Sequence, residues 1–267
     1  MSNIVHRTAI IEDGAEIGEG NHIHPHVIIK ANVSIGDNNE VFPFSCIGYD
    51  GEDSKSYKKR KSGEFRPSGQ VHIGNNNIFR EHTVIHASLT SVTSIQHRNF
   101  FMHGTHVGHD AKLESDIVLS PYVVIGGYSF VGSFANIGIN ASIHQRLAVG
   151  PLTMVGMQSP ITKSLLPGTL VFGNPSRYRG LNVIGIERAE LSVERIQKLI
   201  QLDLEDWEPE LNEAELNVGL GKFARMYVEG SVRKLDFNIG AIEGEQANRH
   251  RLGEIEEKTT EKFDSYR

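Results

Sequence analysis

Branched and aromatic apolar residues recur in this chain at a strict interval of six. Val5, Ile11, Ile17, Ile23, Ile29, Ile35, Val41 and Ile47 keep the interval, and Ile73, Phe79 and Ile85 resume it after an interruption. From Ile95 it runs through Phe101, Val107, Leu113, Leu119, Ile125, Val131, Ile137, Ile143, Val149 and Val155 to Ile161. An α-helix repeats at 3.6 residues and a two-sided strand at 2, so neither accounts for a period of six. Hexapeptide repeats do, and they predict a mainly β chain wound as a parallel β-helix. Each hexad supplies a short strand whose aliphatic points inward and a turn built from small or polar residues, as in Ile35-Gly36-Asp37-Asn38-Asn39. Three hexads make an 18-residue coil, so the 23 hexads predict between seven and eight coils.

Two insertions break the interval. One covers residues 49–71 and carries the basic run Lys58-Lys59-Arg60-Lys61; the other is a Ser/Thr-rich bulge at 87–94. Loops thrown out of a rigid solenoid tend to form binding walls, although a plain solvated loop fits the basic run equally well. Beyond Ile161 the hexads fade. Ile196, Leu199, Ile200 and Leu204 then predict a helix with Ser192 as its N-cap and Glu194 in its first turn. Leu216, Leu220, Phe223 and Tyr227 predict a second helix, and the charged tail from Gly240 is a third helix or partly disordered. The division expected is a β-helix over 1–184 and a small α-helical domain over 185–267.

Composition changes this picture little. A thin solenoid core explains the modest 39% apolar content of 267 residues. A net charge of −6 argues against nucleic acid as a partner, and the single Cys46 suits a reducing compartment. With no secretory leader pattern and no apolar run near the ~20 residues of a spanning helix, a cytoplasmic protein is expected.

The densest polar cluster is Met102-His103-Gly104-Thr105-His106-Val107-Gly108-His109-Asp110. Residues 18 apart stack on one face. His144 lies one residue short of two coils beyond His109, which puts the two on one face about 10 Å apart. Tyr128 sits one coil from His109, displaced by one residue, while His103 and Met157 share the neighbouring face. A cleft using both faces forms most naturally between subunits, as in a rotational trimer. His109 beside Asp110 offers an imidazole that a carboxylate can orient as a general base. Histidines that merely decorate a polar solenoid are the competing reading.

The runs His106-Val107-Gly108-His109-Asp110, Ile143-His144-Gln145 and Gly180-Leu181-Asn182-Val183 resemble those of the acyl-[acyl-carrier-protein]–UDP-N-acetylglucosamine O-acyltransferase family of lipid A synthesis. Phe79-Arg80-Glu81, Thr83-Val84-Ile85 and the placing of both insertions match as well, and the resemblance covers roughly residues 3–190. It implies a left-handed β-helix and a homotrimer with active sites between subunits. It further implies transfer of a (3-hydroxy)acyl chain from the phosphopantetheine thioester of acyl carrier protein to the 3-position of a UDP-amino sugar, with no cofactor and no metal. In that family's pattern His109 is the base, Asp110 holds it, and Gly127 supplies an oxyanion donor. His106, His144 and Gln145 line the cleft, Asp53 and Lys55 contact substrate from the first loop, and Asn182 and Arg188 meet nucleotide or phosphate. Met157 occupies the acyl-length position, where a methionine favours a shorter chain than glycine would.

The chain departs from that pattern at Tyr128, where a histidine is common, and at Ile184 and Ala189, where charged residues are expected beside the nucleotide. Three other readings are an acetyl-coenzyme A-dependent sugar-nucleotide acetyltransferase, suggested by the Gly173-Asn174-Pro175 turn, a zinc carbonic anhydrase and a non-catalytic scaffold. The zinc reading resembles β-helix carbonic anhydrases, which use one upstream histidine and two more spaced five apart. His86 fits the first position, but His103, His106 and His109 are spaced by three.

Overall fold

A computed structural model describes residues 2–54, 69–203 and 206–228. These all fall in the first of two compact units, Met1–Leu235. Lys55, the basic run 58–61, Leu204 and the tail from Gly240 lie outside the described residues.

The chain winds as a left-handed parallel β-helix with three faces. As far as Pro160–Ile161, successive strands visit a ten-stranded, an eight-stranded and a seven-stranded sheet in turn, so that each pairs with the third one along the chain. All the apolar residues of the hexads lie in strands, from Ile4–Val5 to Pro160–Ile161. From Ile23 onward each is almost fully buried, while Val5, on the first coil, is 47% exposed for want of a coil beneath it. Phe79 and Phe101 pack edge to face inside the prism, with centroids 5.1 Å apart. The interval holds because a large apolar side chain points into the narrow interior at every sixth position; the residue two places before it, such as Val27, Ile117, Val123 or Leu147, is buried beside it.

The three corners differ in chemistry. Where the seven-stranded sheet turns into the ten-stranded one, Asn21, Asn39, Asn77 and Asn99 are buried in a ladder. The Asn39 amide donates to Asn21 Oδ1 (3.1 Å), Asn77 to Asn39 (2.9 Å) and Asn99 to Asn77 (3.0 Å). The backbone N–H of Ile117 closes the top of the ladder on Asn99 Oδ1 at 2.8 Å. Every rung is satisfied by its neighbour, which is what burying an amide requires.

Past Ile161 the structure goes further than the hexads do. Strand Thr169–Phe172 joins the ten-stranded sheet in parallel, and Arg177–Leu181 folds back against it antiparallel. Helix Val183–Arg188, which the apolar spacing did not show, follows at once. Helix Val193–Leu199 has the expected cap: the Ser192 hydroxyl accepts from the Arg195 N–H at 3.2 Å. The expected second helix is two helices, Glu213–Asn217 and Leu220–Val228. Gly219 breaks it with a φ of +86°, a left-handed conformation that glycine adopts without strain. Leu216, read as part of its apolar face, is exposed. Ile186, Ile196, Leu199, Trp207, Leu220 and Phe223 share one core with Phe130, Ala148 and Leu152 of the β-helix.

Candidate active site

Both insertions leave the prism at one corner, between the eight-stranded and seven-stranded sheets. The first joins Cys46–Tyr49 to Gln70–Ile73, and the second joins Val84–His86 to Val92–Ile95. The second is therefore shorter than its sequence suggested, with residues 87–91 alone outside strands. The next three coils turn the same corner as Gly108-His109-Asp110, Gly126-Gly127-Tyr128 and His144-Gln145-Arg146. Strand register fixes this stack: Val84 lies opposite His106, His106 opposite Val124, and Val124 opposite Ser142. The loops and the catalytic candidates thus share one edge of the prism.

Asp110 is the anchor. Its φ of +59°, tolerated by aspartate at a tight corner, turns its side chain back beneath the loop, and the residue is 3% exposed. Its carboxylate accepts from the backbone N–H groups of Leu89 (2.7 Å), Thr90 (3.0 Å) and Ser91 (2.7 Å). The hydroxyls of Thr90 and Ser91 add bonds of 3.0 and 2.9 Å. Burial alone would raise the carboxyl's pKa. The His109 imidazole and the three loop amides outweigh it and hold the group well below the usual carboxylate range. The bulge thus acts as a clamp that keeps Asp110 ionised.

An ionised carboxylate can only accept, so the tautomer of His109 follows. Its Nδ1 lies 2.9 Å from Asp110 Oδ2 and must carry the proton, leaving the lone pair on Nε2. The ring sits between two glycines. A Cβ on Gly51 would come within 2.6 Å of His109 Cβ, and one on Gly127 within 2.7 Å of Nε2. Gly127 therefore keeps open the side of the ring that carries the free lone pair. Its own N–H meets no backbone carbonyl among the described residues. Tyr128 packs edge-on against His109 at 5.0 Å, and its N–H donates to the His109 carbonyl at 2.9 Å.

Below His109, the first loop closes over two more histidines. His86 is 7% exposed and its Nδ1 lies 2.8 Å from the Asp50 carbonyl, which turns Nε2 towards Glu52 (4.0 Å) and His106. Burial and the neighbouring His86 push the His106 imidazole towards its neutral form. The nitrogens and carboxylate of Glu52, His86 and His106 lie within 4.8 Å of one another, a spacing that could hold a metal ion. Of the four histidines weighed for zinc, His86 and His106 meet in this way and the other two do not. His103 stands at another corner, edge-on to Tyr122 at 4.6 Å, and His109 is engaged by Asp110.

Of the other candidates, Asp53 follows Gly51 and Glu52 in the loop that covers His86 and His109, and its N–H donates to the Gly51 carbonyl at 2.9 Å. Gln145 stacks two coils above His109, and His144 is displaced from that column by one residue; both are exposed. Sequence reasoning missed Arg146, whose guanidinium lies 4.1 Å from the Tyr128 ring centroid. The same 18-residue step, taken from Tyr128, reaches it. Met157 is 67% exposed, at the corner between the ten-stranded and eight-stranded sheets, in a column with His103 and the 44% exposed Ile139. Asn182 is engaged within the chain: its Oδ1 caps helix Val183–Arg188 at the Gly185 N–H (3.2 Å), and its Nδ2 donates to the Leu152 carbonyl (2.8 Å). Arg188 is exposed in the last turn of that helix. Within one chain these last three do not join the His109 corner.

Fold and site together define a hexapeptide-repeat β-helix protein with a built histidine–carboxylate pair. No known family profile matches the chain. It is 35% identical over 194 residues to the acyl-[acyl-carrier-protein]–UDP-N-acetylglucosamine O-acyltransferase of Synechocystis, covering 72% of this chain and 61% of that one. The enzyme of the same name from Gloeothece citriformis is 33% identical over 192 residues, 71% of this chain and 60% of the relative. The chain thus spans about three fifths of the length of these curated relatives. Among solved structures, the UDP-N-acetylglucosamine acyltransferase of Francisella novicida superposes with a TM-score of 0.68 at 26% identity, over 90% of this chain and 95% of that one. That of Moraxella catarrhalis gives 0.63 at 27%, over 84% and 92%. In sequence and in fold the chain is thus similar to the acyl-[acyl-carrier-protein]–UDP-N-acetylglucosamine O-acyltransferase family. No helix among the described residues is long and apolar enough to cross a membrane.

Proposed function

We propose that this protein moves a (3-hydroxy)acyl chain from acyl carrier protein to the 3-position of UDP-N-acetylglucosamine or a related UDP-amino sugar, in the cytoplasm. The observation that carries the reading is the tautomer of His109. A carboxylate fixed by three backbone amides holds its Nδ1 proton and leaves Nε2 basic, against the space that Gly127 keeps free. The sugar's 3-hydroxyl, or an amine there, gives its proton to Nε2 as it attacks the thioester carbonyl. The new bond to carbon forms, and the carbon–sulfur bond breaks from a tetrahedral intermediate. Gly127's N–H meets the oxyanion of that intermediate. The imidazolium returns its proton to the departing phosphopantetheine thiol, so no acyl-enzyme and no cofactor are required.

Asp53, His106, Tyr128, His144 and Gln145 line the acceptor and thioester cleft. The Met157 corner and the His109 corner lie at opposite edges of the eight-stranded sheet, so one chain does not enclose both. In a homotrimer the Met157 corner of one protomer faces the His109 corner of the next, and Asn182 and Arg188 approach the nucleotide. Met157 then closes the acyl groove, whose exposed apolar walls are Tyr122, Val124 and Ile139. The test is incubation with UDP-N-acetylglucosamine and either 3-hydroxyacyl carrier protein or acetyl-coenzyme A. Product is expected with the carrier protein. Acetyl transfer alone would replace this reading with an acetyltransferase, and no product from either donor would reject it.

A further inference from the structure

A second cluster lies on the outer face of the ten-stranded sheet, near the first coils, and the acyl-transfer reading makes no use of it. Alternation along His22-Ile23-His24 buries Ile23 completely and turns both imidazoles outward. The two rings are stacked, with centroids 4.0 Å apart and planes at 27°. Glu40 stands opposite His22 on the next coil. One of its oxygens, Oε1, lies 2.9 Å from His24 Nε2 and 3.5 Å from His22 Nδ1. Phe42 lies almost flat against the His24 ring at 4.5 Å, which limits the ring's freedom to swing away. Arg80, the nearby cation, is paired with Glu81 at 2.9 Å, which leaves Glu40 to the imidazoles.

We propose that His22, His24 and Glu40 form a binding site for a divalent transition-metal ion of the zinc type, with water completing its coordination. Two imidazoles and one carboxylate are a donor set that suits zinc. Tetrahedral zinc with bonds of about 2.1 Å places its ligand atoms roughly 3.4 Å apart. The observed 2.9 and 3.5 Å bracket that spacing, so an ion needs small side-chain movements and no change of backbone. A simple His24–Glu40 hydrogen bond accounts for two members of the cluster. It leaves out His22, whose Nδ1 faces the same oxygen. The His-x-His spacing, with an acid in register on the next coil, brings all three donor atoms within 4.8 Å of one another.

The site stands independently of the acyl-transfer reading, and its test needs no activity. Protein purified without an affinity tag is titrated with zinc in competition with a chromogenic chelator. The variants are His24→Ala, Glu40→Gln and the double variant His22→Ala/His24→Ala, with His86→Gln as a control at the other corner. Circular dichroism confirms that each keeps its β-sheet signal, as expected for partly exposed positions. One zinc per chain is expected, weakened about tenfold or more by His24→Ala and Glu40→Gln and unaffected by His86→Gln. Absence of zinc binding overturns the proposal. So does binding that survives the double variant, or that is lost with His86→Gln, which would place the ion at Glu52, His86 and His106.

Discussion

Two corners of the same prism bury polar side chains and put them to opposite uses. At the asparagine corner the amides spend their donors and acceptors on neighbouring rungs and on backbone carbonyls. At the His109 corner Asp110 is saturated, with three backbone amides, two hydroxyls and one imidazole around it. That saturation leaves the His109–Asp110 pair with the Nε2 lone pair open, facing a glycine. One repeat geometry thus yields a structural ladder where polar groups close on themselves and, in the proposed function, a reactive centre where one is held open. The fold does not decide between them; the local hydrogen-bond inventory does.

The comparison breaks most sharply at Asp110. Asp110→Asn replaces an acceptor that fixes the tautomer with a group able to donate, and should lower kcat by roughly 10²–10⁴-fold. The same carboxylate makes a pH signature. Its folded pKa lies below its unfolded one, so its stabilisation is fully present above the ordinary aspartate range near ~4 and is lost as pH falls through the folded value. Urea unfolding across acid pH should therefore show a shallower decline in Asp110→Asn than in the unaltered protein. Gly127→Ala tests the open side of the ring. With a methyl 2.7 Å from Nε2, turnover should fall by about 10²-fold while the melting temperature barely moves.

The asparagine corner should respond the other way. Asn77→Ala strips partners from Asn39 and Asn99 and should cost about 1–3 kcal/mol in chemical denaturation, with turnover per folded molecule unchanged. The smallest effect is expected at the third corner. Met157→Gly should shift the preference between acyl donors towards longer chains by about tenfold in kcat/KM, without altering the rate-pH profile. No gain on longer chains would remove Met157 from the acyl groove.

Much of the fold was legible because each hexad turns one large apolar side chain inward at a fixed place, which makes that part of the core a counting problem. The helix cap at Ser192 was legible for a similar reason, since capping is local. The asparagine ladder was hidden because the two insertions lengthen the steps from Asn39 to Asn77 and from Asn77 to Asn99 beyond one 18-residue coil. The clamp on Asp110 was hidden more deeply. Leu89 and Thr90 act largely through backbone amides, and the shape of that loop is set by the carboxylate it wraps rather than by any period. His109 beside Asp110 was legible as an oriented base with decorative histidines as the competing reading, Gly127 was named by resemblance alone, and the geometry adds a physical reason for each. The strand Thr169–Phe172 and helix Val183–Arg188 escaped because neither keeps the six-residue interval or a long helical one.

The central claim is that the open Nε2 lone pair of His109 does the chemistry. Its most direct test is the rate of acyl transfer from 3-hydroxyacyl carrier protein to UDP-N-acetylglucosamine by His109→Gln, measured beside the unaltered protein and matched for melting temperature. Loss of at least about a hundredfold in kcat, with the fold intact, is the expected result. Transfer at an undiminished rate would contradict the account.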